Sequence, residues 1–421
     1  MATPDTAPGT IDLGYGKDHV TVSLNHNDNI LAPNSPSQSI TAEKLSTRLN
    51  EYLEDHPLDL SRPILIVTDK TRRCGYPELL PALTATINRW RGSDEPFPII
   101  IAYGTHPRQS DAESYEIYGE LYNAWPFVHH DCTDAFLFRQ LGRTSAGTPV
   151  RIRADLLDAS TIITFGPICH HYFAGYGGGR KLVFPGCGER DAIYHNHGLY
   201  LDRTTRRLAT GCRPGNLTAN PVADDLFEVI GHISPPLAIH GVQNVDGAIC
   251  DLVIGTDRRS YLEACSLHAR IYELSTHGFD LVVASCGGYP KDINFIQAHK
   301  AIHNAAGFVR DGGSLVVFTQ CSDGLGSDTF LPWFGCGGYD GAFAKLSESY
   351  SGNGGTALAM MNKTARIAIY LVTELTIDIC TTIGVTKISG EEALRMVRAY
   401  KGTIGCLPNA GLLVNTRTLE I

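Results

Sequence analysis

No apolar run in the 421 residues approaches the ~20 that would cross a bilayer. The opening segment, MATPDTAPGTIDLGYG, is polar and rich in Pro and Gly rather than apolar, so no secretory signal is expected. The chain has little positive charge to spare: 35 Lys and Arg against 44 Asp and Glu give a net charge of −9, and no basic stripe offsets it. A nucleic-acid surface needs clustered cations and is excluded. Twelve cysteines are scattered without one Cys-x-x-Cys pair, which points to reduced thiols and a cytoplasmic chain. Internal repeats, low-complexity tracts and charge runs are also missing. What remains is 43% hydrophobic residues, 19% charged residues and 43 glycines. This is the composition of a globular, loop-rich, enzyme-like protein, long enough for two domains.

Short apolar runs alternate with helical patterns. Val20–Leu24 alternates as a strand, and Thr41 opens a helix with Leu45, Leu49 and Leu53 on one face, ending before Pro57. Ile64–Val67, Ile99–Ala102 and 159–165 read as buried strands, with a helix near 77–91 between the first two. Strands near 236–240 and 248–254 come next, with a loop and helix over 215–230. A second unit, starting near 270, repeats the theme with strands at 279–284, 314–318 and 367–371 and a helix at 390–399, while the glycine patches at 335–341 and 351–355 read as loops. The expected fold is α/β, with two domains, 1–270 and 271–421, each a mainly parallel sheet flanked by helices. The last residues are expected to return to the first domain, and the active site to lie in the interdomain cleft.

In such sheets ligands collect beyond the carboxyl ends of the strands. The loop after Val67 carries Asp69, Lys70, Thr71, Arg72 and Arg73, suited to an anion. The loop after Ala102 places His106 where a general base could reach a ligand. The third exit, His170–His197, contains His170, His171, Gly177-Gly178-Gly179, Lys181 in an apolar setting, and His195-Asn196-His197. Neither common phosphate motif fits it. A P-loop requires Gly-Lys followed by Ser or Thr, whereas Arg180 precedes Lys181 and Leu182 comes after it. A dinucleotide fingerprint should open onto a long helix, which Pro185 and Gly186 oppose. A glycine-rich turn with solvated Lys and His is the competing reading of this stretch alone. Three strand exits aiming His106, Arg72, His171 and Lys181 at one rim favour a site.

Asp69-x-Thr71-Arg72, Gly104-x-His106, His171-Tyr172-Phe173-Ala174-Gly175, Gly178-Gly179-Arg180-Lys181, His197, Asn220-Pro221, Tyr289-Pro290 and Gln297-x-x-Lys300 together resemble the nickel-dependent lactate racemase family. The resemblance covers most of the chain. It implies a nickel-pincer nucleotide, a pyridinium-3-thioamide-5-thiocarboxylic acid mononucleotide carrying Ni(II), joined to Lys181 through the thioamide, with His197 as the protein ligand to nickel. The 69–72 loop (Asp69, Lys70, Thr71, Arg72) with Gly178 and Gly179 suits the mononucleotide. Histidine suits nickel, and an apolar setting suits a lysine that forms covalent bonds.

The resemblance further implies that His106 and His171 are the acid/base pair and that Gln297 and Lys300, with Arg72, hold the substrate carboxylate. The partners would be a small 2-hydroxy acid and the cofactor-synthesis enzymes. The oligomeric state is not legible in the sequence. Three departures bear on the substrate. Ile296 replaces a tyrosine, Gly354–Leu358 lacks a tryptophan that the family's second domain supplies, and Arg73-Cys74-Gly75 replaces a proline. They point to a 2-hydroxy acid larger than lactate. Two other classes compete: a zinc hydrolase using His195, His197 and His170 or His171, which lacks the expected His-Glu-x-x-His carboxylate, and a non-catalytic cofactor carrier, which would need neither His106 nor Gln297 and Lys300.

Overall fold

The computed structural model describes residues 9–24 and 29–417. The chain divides into two compact units, one of residues 35–200 and 209–271, the other of 1–34, 201–208 and 272–421.

The first of these is built on a six-stranded sheet. From edge to edge it runs Ile249–Gly255, Leu237–Gln243, Thr161–Pro167, Pro63–Thr68, Ile99–Ala102, Phe127–His129. All pairs are parallel except the one made by Ile249–Gly255. Every residue of Pro63–Thr68 is buried, as a central parallel strand covered on both faces requires. The flanking helix Ala42–Asp55 is capped by Thr41, whose side chain accepts from the Lys44 N–H, and buries Leu45, Leu49 and Leu53. Chain order runs outward from Pro63–Thr68 through Ile99–Ala102 to Phe127–His129, then returns to Thr161–Pro167 on the other side. The sheet therefore has its switch point at Pro63–Thr68, where crevices for ligands form.

The second unit holds a wholly parallel sheet in the order Thr386–Lys387, Ala368–Val372, Val309–Phe318, Phe279–Ser285, Ile404–Leu407, Asn29–Ile30. Its strands alternate between two cores. Val282, Ala284, Leu315 and Val317 pack with helix Phe295–Ala306, while Leu281, Val283, Val316 and Phe318 pack with Leu13, Val22 and Leu24 of an N-terminal hairpin and with Ala393 and Val397.

The N-terminal segment thus groups with the C-terminal sheet, where the sequence reading assigns it to the first domain. The reason is long-range pairing: Asn29–Ile30 adds to the edge strand Ile404–Leu407, and the hairpin covers that sheet's open face. The expected return of the last residues bears on 418–421, outside the described residues. Val414–Asn415 pairs with Glu273–Leu274 inside the C-terminal unit. The glycine patches at 335–341 and 351–355 are not simply loops, since helices Gly338–Glu348 and Gly354–Arg366 begin inside them. Gly337 and Gly338, at φ 84° and 75°, make the turn that admits the first helix. No helix among the described residues is long and apolar enough to cross a membrane, and all twelve cysteines are free thiols.

Candidate active site

The three strand exits predicted to converge do so. One cavity in the first unit is lined by Thr68 and Arg72 from the exit of Pro63–Thr68, by Tyr103, Gly104 and His106 from the exit of Ile99–Ala102, and by His171, Gly177, Gly178, Lys181 and His197 from the stretch after Thr161–Pro167. Asp69 stands behind His106. Lys70 and Thr71 are turned elsewhere: the Lys70 ammonium pairs with Glu113, and the Thr71 hydroxyl donates to Asp69 Oδ1 at 2.6 Å. Of the cations expected at that loop, Arg72 alone lines the cavity, and Arg73 pairs with Glu116.

Asp69 is buried, and its Oδ2 accepts from His106 Nδ1 at 2.6 Å. Burial alone would raise its carboxyl, but the bond and charge of His106, the Arg72 guanidinium and Thr71 outweigh this and hold it at about 2. With Nδ1–H committed to a carboxylate, the His106 ring keeps its Nε2 lone pair for a proton. The opposite arrangement holds at His171. The Ala174 N–H donates to its Nδ1 at 3.2 Å, so the neutral ring carries its proton on Nε2. One cavity therefore contains an imidazole disposed to accept and one disposed to donate.

The glycine segment makes room for this. A Cβ at Gly178 would lie 2.4 Å from the Pro167 carbonyl oxygen, and φ there is +79°. The next helix lasts only from Arg180 to Val183, as Pro185 and Gly186 predict. Lys181 projects into the cavity with its Nζ 5.8 Å from the Phe173 ring centre. Burial, then the Arg72 and Arg180 guanidinium groups, push its ammonium well below the ordinary lysine range. Arg180 is itself buried between Phe227 and Tyr261, at 4.2 and 4.5 Å, and none of its guanidinium nitrogens has a hydrogen-bond partner among the described residues. Arg72 keeps its charge, because burial is outweighed by the Cys169 sulfur and the Asp69 carboxylate.

His197 lies near the end of helix Arg190–Gly198. Burial, with Lys181 and His106 nearby, lowers it to about 3, so the imidazole is neutral and available as a metal donor. The sequence reading missed what orients it. Asn196 is fully buried, and its Nδ2 donates to Asp225 Oδ2 at 2.8 Å. The same carboxylate accepts from Thr144 and Thr148, tying the helix to two other segments. Phe173 was also missed as a packing centre; its ring meets His171 at 4.5 Å and His197 at 5.0 Å. An alternating aromatic between two site histidines was the only available signal.

A zinc site built from His195, His197 and His170 or His171 is not formed. His195 Nδ1 bonds Thr148 Oγ1 at 2.9 Å, His170 faces His268, and no cluster of three metal-ligating side chains exists among the described residues. The neutral imidazole of His197, with no three-ligand metal cluster beside it among the described residues, an amine poor in protons and a glycine cradle suit a group that brings its own metal donors, so the residues present fit the pincer nucleotide.

Gln297 and Lys300 belong to the other unit. They share a face of helix Phe295–Ala306, where Lys300 Nζ donates to Gln297 Oε1 at 2.8 Å. Ile296 precedes them, partly buried against that unit's core. The second unit does carry a tryptophan beside the 354–358 segment. Trp333, 21 residues upstream and buried in that unit's core, packs there: a Cβ at Gly354 would lie 2.9 Å from its ring.

Residues 15–209 match the family described as lactate racemase N-terminal domain, and residues 274–337 match lactate racemase C-terminal domain. A lactate racemase of Thermoanaerobacterium thermosaccharolyticum is 27% identical over 272 residues, which is 64% of this chain and 62% of that protein. The match thus spans less than two thirds of that relative's length. A lactate racemase of Lactiplantibacillus plantarum is 27% identical over 334 residues, 76% of this chain and 77% of that protein. Among solved structures, the lactate racemase apoprotein from T. thermosaccharolyticum superposes with a TM-score of 0.85 at 21% identity, covering 97% of this chain and 100% of that one. A protein from Thermotoga maritima gives 0.65 at 16% identity, covering 91% and 100%. These likenesses establish a shared fold. With both domains matched in order and the cavity residues gathered at three strand exits, the chain belongs to the lactate racemase family.

Proposed function

We propose that this protein is a 2-hydroxy acid racemase or epimerase that works with a nickel-pincer nucleotide tethered to Lys181. The observation that carries the reading is the pair of imidazoles in one cavity, His106 disposed to accept a proton and His171 to donate one. A racemase must treat both enantiomers alike, and two histidines that exchange the roles of base and acid meet that need at neutral pH.

Lys181 would hold the cofactor by its thioamide, His197 would ligate nickel, and Arg72 with the Gly178 and Gly179 backbone would take the mononucleotide. Bound there, the cofactor would supply a hydride acceptor for the substrate C2. The protein's own work is to orient and to move protons. His106 Nε2 takes the hydroxyl proton of one enantiomer, with Asp69 stabilising the imidazolium that results. His171 would act as an imidazolium, its Nδ1 released from the Ala174 N–H, giving its Nε2 proton to the keto oxygen and ending neutral while His106 ends protonated, and the roles exchange for the other enantiomer. Gln297 and Lys300 would hold the carboxylate. The partners would be the cofactor-synthesis enzymes, and the location the cytoplasm.

Ile296 at the position of a tyrosine removes a hydroxyl beside Gln297, which favours an acid larger than lactate. Extra volume alone discriminates by only ~1–3 kcal/mol per methylene, whereas a lost polar partner costs a small substrate more. The test is a panel of single-enantiomer 2-hydroxy acids, aromatic, dicarboxylic and sugar acids included, with chiral product analysis of the loaded enzyme. A larger acid should show the highest kcat/KM. Lactate in first place would overturn the substrate assignment, and no racemisation of any member would overturn the activity.

A further inference from the structure

Lys181 differs from Lys363, a buried lysine of the other unit. Lys363 also sits deep in the protein, but its Nζ donates to the Ala359 carbonyl at 2.7 Å and lies 3.2 Å from His303 Nδ1, within the packed interior. Lys181 instead opens onto a cavity whose walls also present a guanidinium, Arg72, and two imidazoles, His106 and His171. No carboxylate pairs with it among the described residues. Arg180, the preceding residue, contributes a second buried positive charge, and none of its guanidinium nitrogens has a hydrogen-bond partner among the described residues. An amine, a cation and two proton carriers around one space make up the chemistry of imine formation with a carbonyl acid.

We propose that the cofactor-free protein captures 2-keto acids covalently, as an imine between Lys181 Nζ and the keto carbon. Arg72 receives the carboxylate, which fixes the carbonyl against the amine. The Lys181 nitrogen forms the new C–N bond, and the carbonyl oxygen takes a proton to become a hydroxyl. The amine gives up its protons through an imidazole, the hydroxyl leaves as water, and the C=N bond closes. The net change is amine plus ketone to imine plus water, with no redox step. The ligand class is that of the keto acids interconvertible with 2-hydroxy acids, so such a compound would occupy the unloaded site and compete with cofactor attachment at the same nitrogen.

The experiment uses full-length protein made without the cofactor-synthesis enzymes, incubated with pyruvate and cyanoborohydride, then digested for peptide mass mapping. One reduced pyruvyl group should appear on Lys181, saturating with pyruvate, and none on Lys363. Lys181→Met should lose it. Arg72→Met should lower pyruvate labelling roughly tenfold more than it lowers labelling by neutral acetone, about one charge-assisted contact, because only the change in the Lys181 ammonium that follows loss of the guanidinium is common to both reagents. Absence of a Lys181 adduct in protein with native circular dichroism would overturn the proposal, as would equal labelling of exposed lysines. Cofactor tethering is read separately, by the mass of protein made with the synthesis enzymes, so failure of either idea leaves the other standing.

Discussion

Asp69 Oδ2 lies 2.6 Å from His106 Nδ1, and the two side chains come from the exits of adjacent parallel strands. The carboxylate, by accepting from Nδ1, sets the tautomer of the ring. Asp69→Asn should therefore lower kcat by on the order of 10²–10⁴ with a smaller change in KM, since the isosteric amide keeps the shape but loses the charge. Steady-state kinetics on the loaded variant, with unchanged circular dichroism, check this.

His106 and His171 should each be required. Replacing either by Ala is expected to cost on the order of 10²–10⁴ in rate from both pure enantiomers, because racemisation needs a proton acceptor on one side and a donor on the other. Initial rates measured separately from each enantiomer decide the matter. Wild-type racemisation by either single variant would remove that histidine from the mechanism.

Lys181 should carry the cofactor. Intact-mass measurement of protein produced together with the cofactor-synthesis enzymes should show one mononucleotide-sized addition, mapped to Lys181 and missing from Lys181→Ala. The wild-type protein found active and unmodified after exhaustive dialysis would refute the tether.

Stability should fall with mild acid. Burial, with the charge of Arg153 second, lowers His130 to about 4, and burial, with Arg180 second, lowers His240 to about 4. In the unfolded chain both rings bind a proton below about 6.5. The unfolded state therefore holds more protons between those values, and folding stability decreases as pH falls from about 6.5 to about 4, then levels off. The limit is about 3 kcal/mol per ring, at ~1.36 kcal/mol per pH unit. Asp69, held at about 2, keeps its contribution through that window and loses it only between about pH 4 and 2. Urea unfolding at pH 7.5 and pH 5 should show the lower midpoint at pH 5; equal midpoints would contradict the assignment.

Much of the frame was legible because it rests on local pattern. Ile64–Val67 and Ile99–Ala102 are continuous apolar runs, as strands covered on both faces require, and both lie inside the strands that form. Thr41 announced a helix because its side chain caps the N–H three residues on. The shortness of the helix after Gly179 was set by Pro185 and Gly186. The glycine patches were misread because glycine marks a turn but not the element beyond it; at Gly337 and Gly338 the turn leads directly into a helix.

The sequence by itself determined which chemical groups stand at the three strand exits, since the hydrophobic period places each strand's end and the next residues must emerge there. Only the tertiary structure decided what each group does. Lys70, read as a cation for an anionic ligand, is paired with Glu113 on a helix 43 residues away. Asp69, read with the same loop, serves His106, and Asn196 is locked to Asp225 between two histidines that point to different surroundings. The N-terminal hairpin and Asn29–Ile30 likewise joined the distant sheet. Pairings of this kind depend on distances through space between residues far apart in the chain, and no local period or spacing encodes them.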